Sequence, residues 1–180
     1  MAKTNSLPPH PSSQDDVRKP KPHQKRAFLR RSPADRLPIT MEYTLQSGFD
    51  RMDFPRVTAM LATAFWSPGI GIDEVIAGSK HSALLVGAFD PQGDQIGFAR
   101  VISDQTRFAY ILDVIVDEPH RRQGIGQAMV QHILGHSDLA SVYQWLLITR
   151  DSHGVYEKLG FRRTERGPDW MEIRSKRPAR

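Results

Sequence analysis

From residue 39 onward the chain switches between two periods of apolar spacing, and each switch marks an element. ITMEYTLQS, residues 39–47, alternates closely enough for an opening strand ended by Gly48. PRVTAMLATAFW, residues 55–66, instead sets Val57, Met60, Leu61, Ala64 and Phe65 at helical spacing behind a proline suited to a first turn, which predicts a core-facing helix. SPGIG breaks it, and IDEVIAGS, with acids in its first turn, predicts a second short helix ending at Gly78. SALLVGAFD and QIGFARVIS flank the turn sequence DPQGD, so residues 82–103 read as a hairpin. RFAYILDVIV, residues 107–116, is rich in β-branched and aromatic positions and predicts a third sequential antiparallel strand.

The period then changes again. A helix is expected from about Gly124 to His136, followed by VYQWLLITR, a nearly continuous apolar run of the kind found in strands covered on both faces. SHGVYEKLG predicts a short helix closed by Gly160, although Gly154 costs it about 1 kcal/mol of propensity. FRRTE and WMEIR suggest a last pair of strands. No internal repeat is present. This order of elements predicts an α/β (α+β) mixed sheet with helices on its faces.

At 180 residues there is room for one domain of ordinary size. The net charge of +5 changes the picture only once it is located: residues 1–38 hold nine Lys/Arg against three Asp, whereas residues 39–180 hold 16 against 17. Residues 1–38 also contain seven of the 13 prolines and little apolar periodicity, so a disordered basic tail is expected there. It reads as a solvated extension, or as a weak electrostatic arm for nucleic acid or an acidic partner. A folded domain is expected over 39–174 and a short basic tail over 175–180. No apolar stretch resembles an export signal or a membrane span, so a cytoplasmic protein without membrane partners is expected. The absence of cysteine excludes disulfides, thiolate metal sites and a cysteine nucleophile.

The joint VDEPHRRQGIGQ, residues 116–127, carries more glycine and positive charge than a strand-to-helix turn requires. A helix N-terminus leaves about four backbone N–H groups without intrahelical partners and adds roughly half a positive charge. Gly124 and Gly126 would let an anion approach that backbone, and Arg121 and Arg122 would add charge at the rim, so a phosphate is the natural ligand. No Lys follows Gly126, and Met129 stands where a dinucleotide fingerprint has its third glycine, which disfavours ATP hydrolysis and NAD.

Two motifs in order, Arg121-x-x-Gly124-x-Gly126 and the Tyr156-to-Phe161 stretch YEKLGF, resemble those of the GNAT superfamily of acetyl-CoA-dependent N-acetyltransferases. The resemblance covers roughly residues 40–174. The stretches AFW, GFARVISD, FAYILDVIV and LLITRDSHGVYEKLGF look like a bacterial single-domain subgroup of undefined substrate. It implies about seven strands, splayed between the fourth and fifth, and about four helices. It further implies acetyl-CoA as cosubstrate, with its pantetheine arm along Val114, Ile115 and Val116 and its pyrophosphate on Gln123, Gly124, Ile125, Gly126 and Gln127 beside Arg121 and Arg122. Tyr156 matches the tyrosine that protonates the leaving thiolate in many members. Thr149 stands where many members have Asn, which puts that contact in doubt.

Asp113 interrupts an apolar strand and should therefore line a wet cleft, as a base, an amine anchor or the ion-pair partner of a residue such as Arg100. Asp151 and His153 flank Tyr156 and could hold cofactor, water or substrate. Trp66, Ser67 and Ser82 fall on the acceptor side. His132 and His136 are four apart on one helix, but no third ligand is evident, so no metal is expected. The expected activity is transfer of an acetyl group to a primary amine of a small molecule or peptide, by direct attack in a ternary complex. Residues 39–173, with 12 basic and 17 acidic side chains, mildly favour a cationic acceptor. The alternatives are a non-catalytic acyl-CoA binding or sensor module and a nucleic-acid-associated protein using its basic tail. A monomer or homodimer is compatible with either.

Overall fold

A computed structural model describes residues 42–175. The expectations for the tail 1–38 and for residues 176–180 lie outside the described residues. Five strands and four α-helices follow one another as β1 (Thr44–Ser47), α1 (Phe54–Ala62), α2 (Ile72–Lys80), β2 (Leu84–Phe89), β3 (Gln95–Ser103), β4 (Phe108–Val116), α3 (Ile125–Leu134), β5 (Gln144–Leu146) and α4 (His153–Glu157). The sheet runs β1-β2-β3-β4-β5 in space, antiparallel throughout except for the parallel β4–β5 pair.

Helices cover both faces, which is why the buried strands read as nearly unbroken apolar runs. On one face Ile125, Met129, Val130 and Ile133 of α3 pack against Leu84, Val86, Ala88, Val101, Ala109 and Ile111. On the other, Val57, Met60 and Leu61 of α1 and Val75 of α2 pack against Leu85, Phe89, Phe98 and Ile115. Ile111 and Ile115 have the same parity in β4 and yet belong to opposite faces. The cause is a bulge: Arg100 pairs with Leu112 and Phe98 with Ile115, so two residues of β4 oppose one of β3. Asp113 takes the left-handed conformation there, at φ 55°. From that residue on, the strand's two side-chain sets exchange faces.

Buried Gln95 ties α1 to the sheet. Its Oε1 accepts the Asp53 backbone N–H at 2.8 Å, and its Nε2 donates to the Gly97 carbonyl at 3.1 Å. Asp53 in turn caps α1 by accepting the Arg56 N–H. On the opposite face Ser47 of β1 and His132 of α3 are hydrogen bonded at 2.8 Å.

The structure departs from the sequence pattern in three places. α1 stops at Ala62 rather than Trp66, because the Thr63 and Ser67 hydroxyls donate to the carbonyls of Met60 and Leu61 and supply local partners at the helix end. Phe65 consequently leaves the core and is 54% exposed. β5 forms only three ladder positions and is half-buried, not covered on both faces. The last pair of strands does not form, giving five strands among the described residues where about seven were expected. Between Phe161 and Ser175 the only regular element is a single 3-10 turn, Gly167–Asp169, held by Arg166 and Asp169 at 3.0 Å. Strand propensity is realised only against a paired neighbour, and this segment has none.

Replacing Gln95 by the similarly sized Leu removes the partner of the Asp53 N–H and leaves the buried Gly97 carbonyl without its side-chain donor. It is expected to cost about 1–3 kcal/mol, read as a lower urea midpoint at unchanged m-value. An unchanged midpoint would show that the α1 cap does not need it.

Candidate active site

β4 and β5 pair only from Phe108↔Gln144 to Tyr110↔Leu146, and then diverge while β4 continues to Val116. Along residues 111–116 the outer backbone groups of β4 therefore lose their ladder partners and must find others. One does so within the chain: the Val116 carbonyl accepts from Arg121 Nε at 2.9 Å. The divergence opens a cleft of about 580 Å³. Tyr110 to Val114 form one wall and residues 147–152 the other, with Tyr156, Phe65, Trp66 and Arg174 around them.

The bulge aims Asp113 into this space. Its Oδ2 accepts from Arg100 Nε at 2.6 Å, with side chains only 14% and 18% exposed respectively. Arg100 Nη1 reaches the Ser82 hydroxyl at 3.3 Å and the Gly78 carbonyl at 3.5 Å. Gly78 has no side chain, so the guanidinium lies flat against α2: a Cβ there would sit 3.5 Å from its Cζ. A second pocket of about 410 Å³ lies between α2, β3 and β4, walled by Ile70, Val75, Phe98 and Ser79 with Glu74 and Arg100. Trp66, Asp113 and Arg174 line both cavities. Asp113 thus stands at their junction.

Tyr156 lies on α4, whose end turns through Gly160 at φ 91° so that Phe161 donates its N–H to the Tyr156 carbonyl. Its ring meets Phe161 edge-on at 6.1 Å. Burial, and then the neighbouring Asp151 carboxylate, push the phenol above its ordinary range. Tyr110, across the cleft, is likewise raised, mainly by burial and next by Asp113. Thr149 accepts the Ser152 N–H at 3.0 Å and so helps start α4.

At the joint, Gly124 is the N-cap of α3 at φ 82°, and no side chain caps that terminus. Arg122 is also left-handed, at φ 63°. Arg121, Arg122, Gln123 and Gly124 are exposed, whereas the Ile125 side chain is buried in the core, so only its backbone faces outward chemistry. A Cβ on Gly126 would lie 3.7 Å from Val116 and 3.9 Å from Val114, so the first turn of α3 rests on the end of β4.

Of the residues singled out from sequence, Asp113, Val114, Asp151, Tyr156 and Trp66 come together in one cleft. The Ile115 side chain turns to the α1 face. Ser82 does not line the cleft: its hydroxyl donates to Gly78 at the end of α2 and accepts from Arg100. His153 lines an adjoining pocket of about 370 Å³, which shares Leu147, Ile148, Thr149 and Tyr156 with the cleft. His132 and His136 stand 6.1 Å apart, and no metal-binding cluster of three His, Cys, Asp or Glu exists among the described residues. No helix among them is long and apolar enough to cross a membrane. Sequence reasoning missed Tyr110, Arg174 and the contact of Arg150 over the Phe65 ring at 3.7 Å, which spans the cleft mouth. Tyr110 lies three residues before Asp113, a signal available in the sequence. Arg150 and Arg174 reach the cleft through tertiary placement alone.

Comparison with known proteins agrees with this geometry. The family model described as an acetyltransferase (GNAT) domain matches residues 80–163. A solved structure from Xanthomonas campestris pv. campestris, described as an acetyltransferase of the GNAT family, is 30% identical, covering 74% of this chain and 94% of that one at a TM-score of 0.69. A Staphylococcus aureus protein described as a probable acetyltransferase is 24% identical, with 74% and 100% covered and a TM-score of 0.59. A Clostridium acetobutylicum protein described as a predicted acetyltransferase with acetyl-CoA shares the fold at 16% identity, 74% and 96% coverage and a TM-score of 0.57. No curated protein sequence matches the chain. With the uncapped glycine joint, the diverging strands and a 30% identical relative matched over nearly its whole length, this chain belongs to the GNAT acetyltransferase family.

Proposed function

We propose that the chain transfers an acetyl group from acetyl-CoA to a primary amine of a small molecule or peptide, by direct attack in a ternary complex. The observation that carries this reading is the cleft between β4 and β5, which Asp113 and Tyr156 both line. When bound, acetyl-CoA supplies an activated acyl group. The residues at hand fit it. The first turn of α3 offers backbone N–H groups without a side-chain cap, glycine at 124 and 126, and Arg121 and Arg122 beside them, a combination suited to a pyrophosphate. The edge of β4 that faces away from β3 along Val114 to Val116, apart from the Val116 carbonyl taken by Arg121, offers hydrogen bonds to an amide-bearing arm, and one N–H there would polarise the thioester carbonyl.

Asp113, fixed by Arg100, orients the incoming amine at the junction of the two cavities. Tyr156 keeps its proton and gives it to the departing thiolate. Asp151 raises the phenol further and so preserves that proton. With no cysteine in the chain, a direct transfer needs no acyl-enzyme.

A phenol ordinarily titrates near about pH 10, and that of Tyr156 is raised, so the alkaline limb of kcat is expected above that value. The associated stability is present at neutral pH and is lost as pH rises through the raised pKa. Tyr156→Phe should remove the limb and lower kcat about 100-fold or more, with acetyl-CoA affinity retained. Equal rates in the two proteins would take Tyr156 out of the mechanism.

Calorimetric titration of acetyl-CoA and CoA tests the joint separately. Gly126→Trp blocks the approach to α3, and each charge-assisted bond lost is worth about 1.5–3 kcal/mol, so Kd should rise at least roughly tenfold. Unaltered binding would remove the joint as the pyrophosphate site.

A further inference from the structure

Acids outnumber bases over residues 39–173, but that surplus does not reach the two cavities. The pocket between α2, β3 and β4 is lined by two acids, Glu74 and Asp113, and two bases, Arg100 and Arg174. The cleft likewise sets Asp113 and Asp151 against Arg150 and Arg174. A lining whose charges balance gives little net field to draw in an acceptor of single sign. It is complementary to an acceptor that carries both signs.

Most of these groups are already engaged. Arg100 holds Asp113 and also meets Ser82 and the Gly78 carbonyl. Arg150 lies over the Phe65 ring, and Asp151 accepts from the Ser152 hydroxyl at 3.1 Å. Two positions stay open to a ligand. Arg100 takes only Oδ2 of Asp113, and Oδ1 has no hydrogen bond among the described residues. Arg174 is engaged by Glu172 alone, through Nε at 2.9 Å and Nη2 at 2.6 Å to one and the same oxygen, which leaves its Nη1 without a partner among the described residues. That pair is 78% and 65% exposed, and an ion pair so open to water contributes little, so Arg174 can exchange Glu172 for another carboxylate. Trp66, Asp113 and Arg174 line both cavities, which puts the open anion and the open cation at one junction. The Tyr110 phenol, raised first by burial, is raised further by Asp113 and lowered by Arg174, as expected for a group within reach of both. Beyond the junction the pocket of about 410 Å³ has apolar walls in Ile70, Val75 and Phe98. Glu74 in the same lining disfavours an acidic side chain there.

We propose that the acceptor is a free amino acid with an apolar side chain: Asp113 receives its amine, Arg174 its carboxylate, and the pocket between α2, β3 and β4 its side chain. This rests on the acetyl-transfer reading and narrows the acceptor to one class. The N-terminal residue of a peptide carries a neutral amide where Arg174 calls for a carboxylate, which a guanidinium binds through two parallel hydrogen bonds. In the transfer, the ammonium gives up a proton to solvent, and the nitrogen lone pair attacks the thioester carbonyl carbon of acetyl-CoA. An N–C amide bond forms and the C–S bond breaks. The electron pair leaves with sulfur, which takes the Tyr156 proton, and water restores the phenol, so one proton is released overall. The product keeps its carboxylate but has lost the cationic nitrogen, so Asp113 no longer holds it.

The test follows release of the CoA thiol by the full-length protein with leucine, methionine and phenylalanine, each beside its amide and its decarboxylated amine. Acetyl-CoA titration is run on the same sample. The amine of an amino-acid amide is the less basic, so more of it is neutral at neutral pH, and a preference for the free acid therefore reports binding. The free acids should exceed both analogues in kcat/KM at least roughly tenfold, as expected for one charge-assisted bond. Arg174→Gln should abolish that preference, chiefly through KM, and Arg174→Lys should restore part of it. Glu172→Gln, which releases Arg174 from its present partner, should lower KM for the free acids. Equal or faster turnover of the amides or amines overturns the proposal, as does a preference for the free acid that survives Arg174→Gln. Acetyl-CoA binding with no turnover of any free acid, or with turnover of a polyamine such as spermidine in their place, overturns it while leaving the acetyltransferase reading intact. Absence of acetyl-CoA binding by folded protein overturns both.

Discussion

The left-handed bulge at Asp113 is the constraint from which the site follows. One extra residue in β4 exchanges the faces of every side chain after it. Ile115 is thereby sent to the α1 and α2 face, and Val114 and Val116 to the face on which the first turn of α3 rests. The bulge also takes a carboxylate out of an otherwise apolar strand and places it where two cavities meet. Asp is among the few residues with a side chain that tolerate this backbone conformation. The same choice of residue therefore supplies both the geometry and the charge.

A charge so enclosed needs a partner, and breaking a mostly buried pair costs several kcal/mol. Arg100 is the partner, and it is in turn fixed by Ser82, by the Gly78 carbonyl and by the flat contact that Gly78 permits. The orientation of Asp113 is thus set by α2 and β3, elements that do not border the cleft between β4 and β5. Ser82 contributes through this chain of contacts and not by touching the cleft. On the opposite wall Tyr156 is fixed by the tight turn through Gly160 and by its packing against Phe161. The two groups are mounted on separate supports and meet only because β4 and β5 part.

The helices and the first four strands were legible because each buries a face, and burial imposes a period on the sequence. The glycine joint and Tyr156 were legible as motifs because close backbone approach and a closing turn leave few residue choices. Ser82, by contrast, carries no periodic signal, and its hydroxyl is as compatible with a cleft as with the end of α2 where it lies. The same holds for α1, which stops early because Thr63 and Ser67 offer its carbonyls local partners that apolar spacing does not reveal.

The sequence by itself determined the mixed α/β class, the order of helices and first four strands, the family, and the presence of a charge that had to be paired. Each of these rests on local period, on residue type or on short-range spacing. Only the tertiary structure decided that Asp113 sits in a bulge, that β5 pairs for three residues before parting from β4, and that Arg150 and Arg174 reach the cleft. It also decided that residues 161–175 remain without a strand. These features depend on ladder partners and on contacts between residues far apart in the chain, and a strand's fate is settled by the neighbour it finds, not by its own composition.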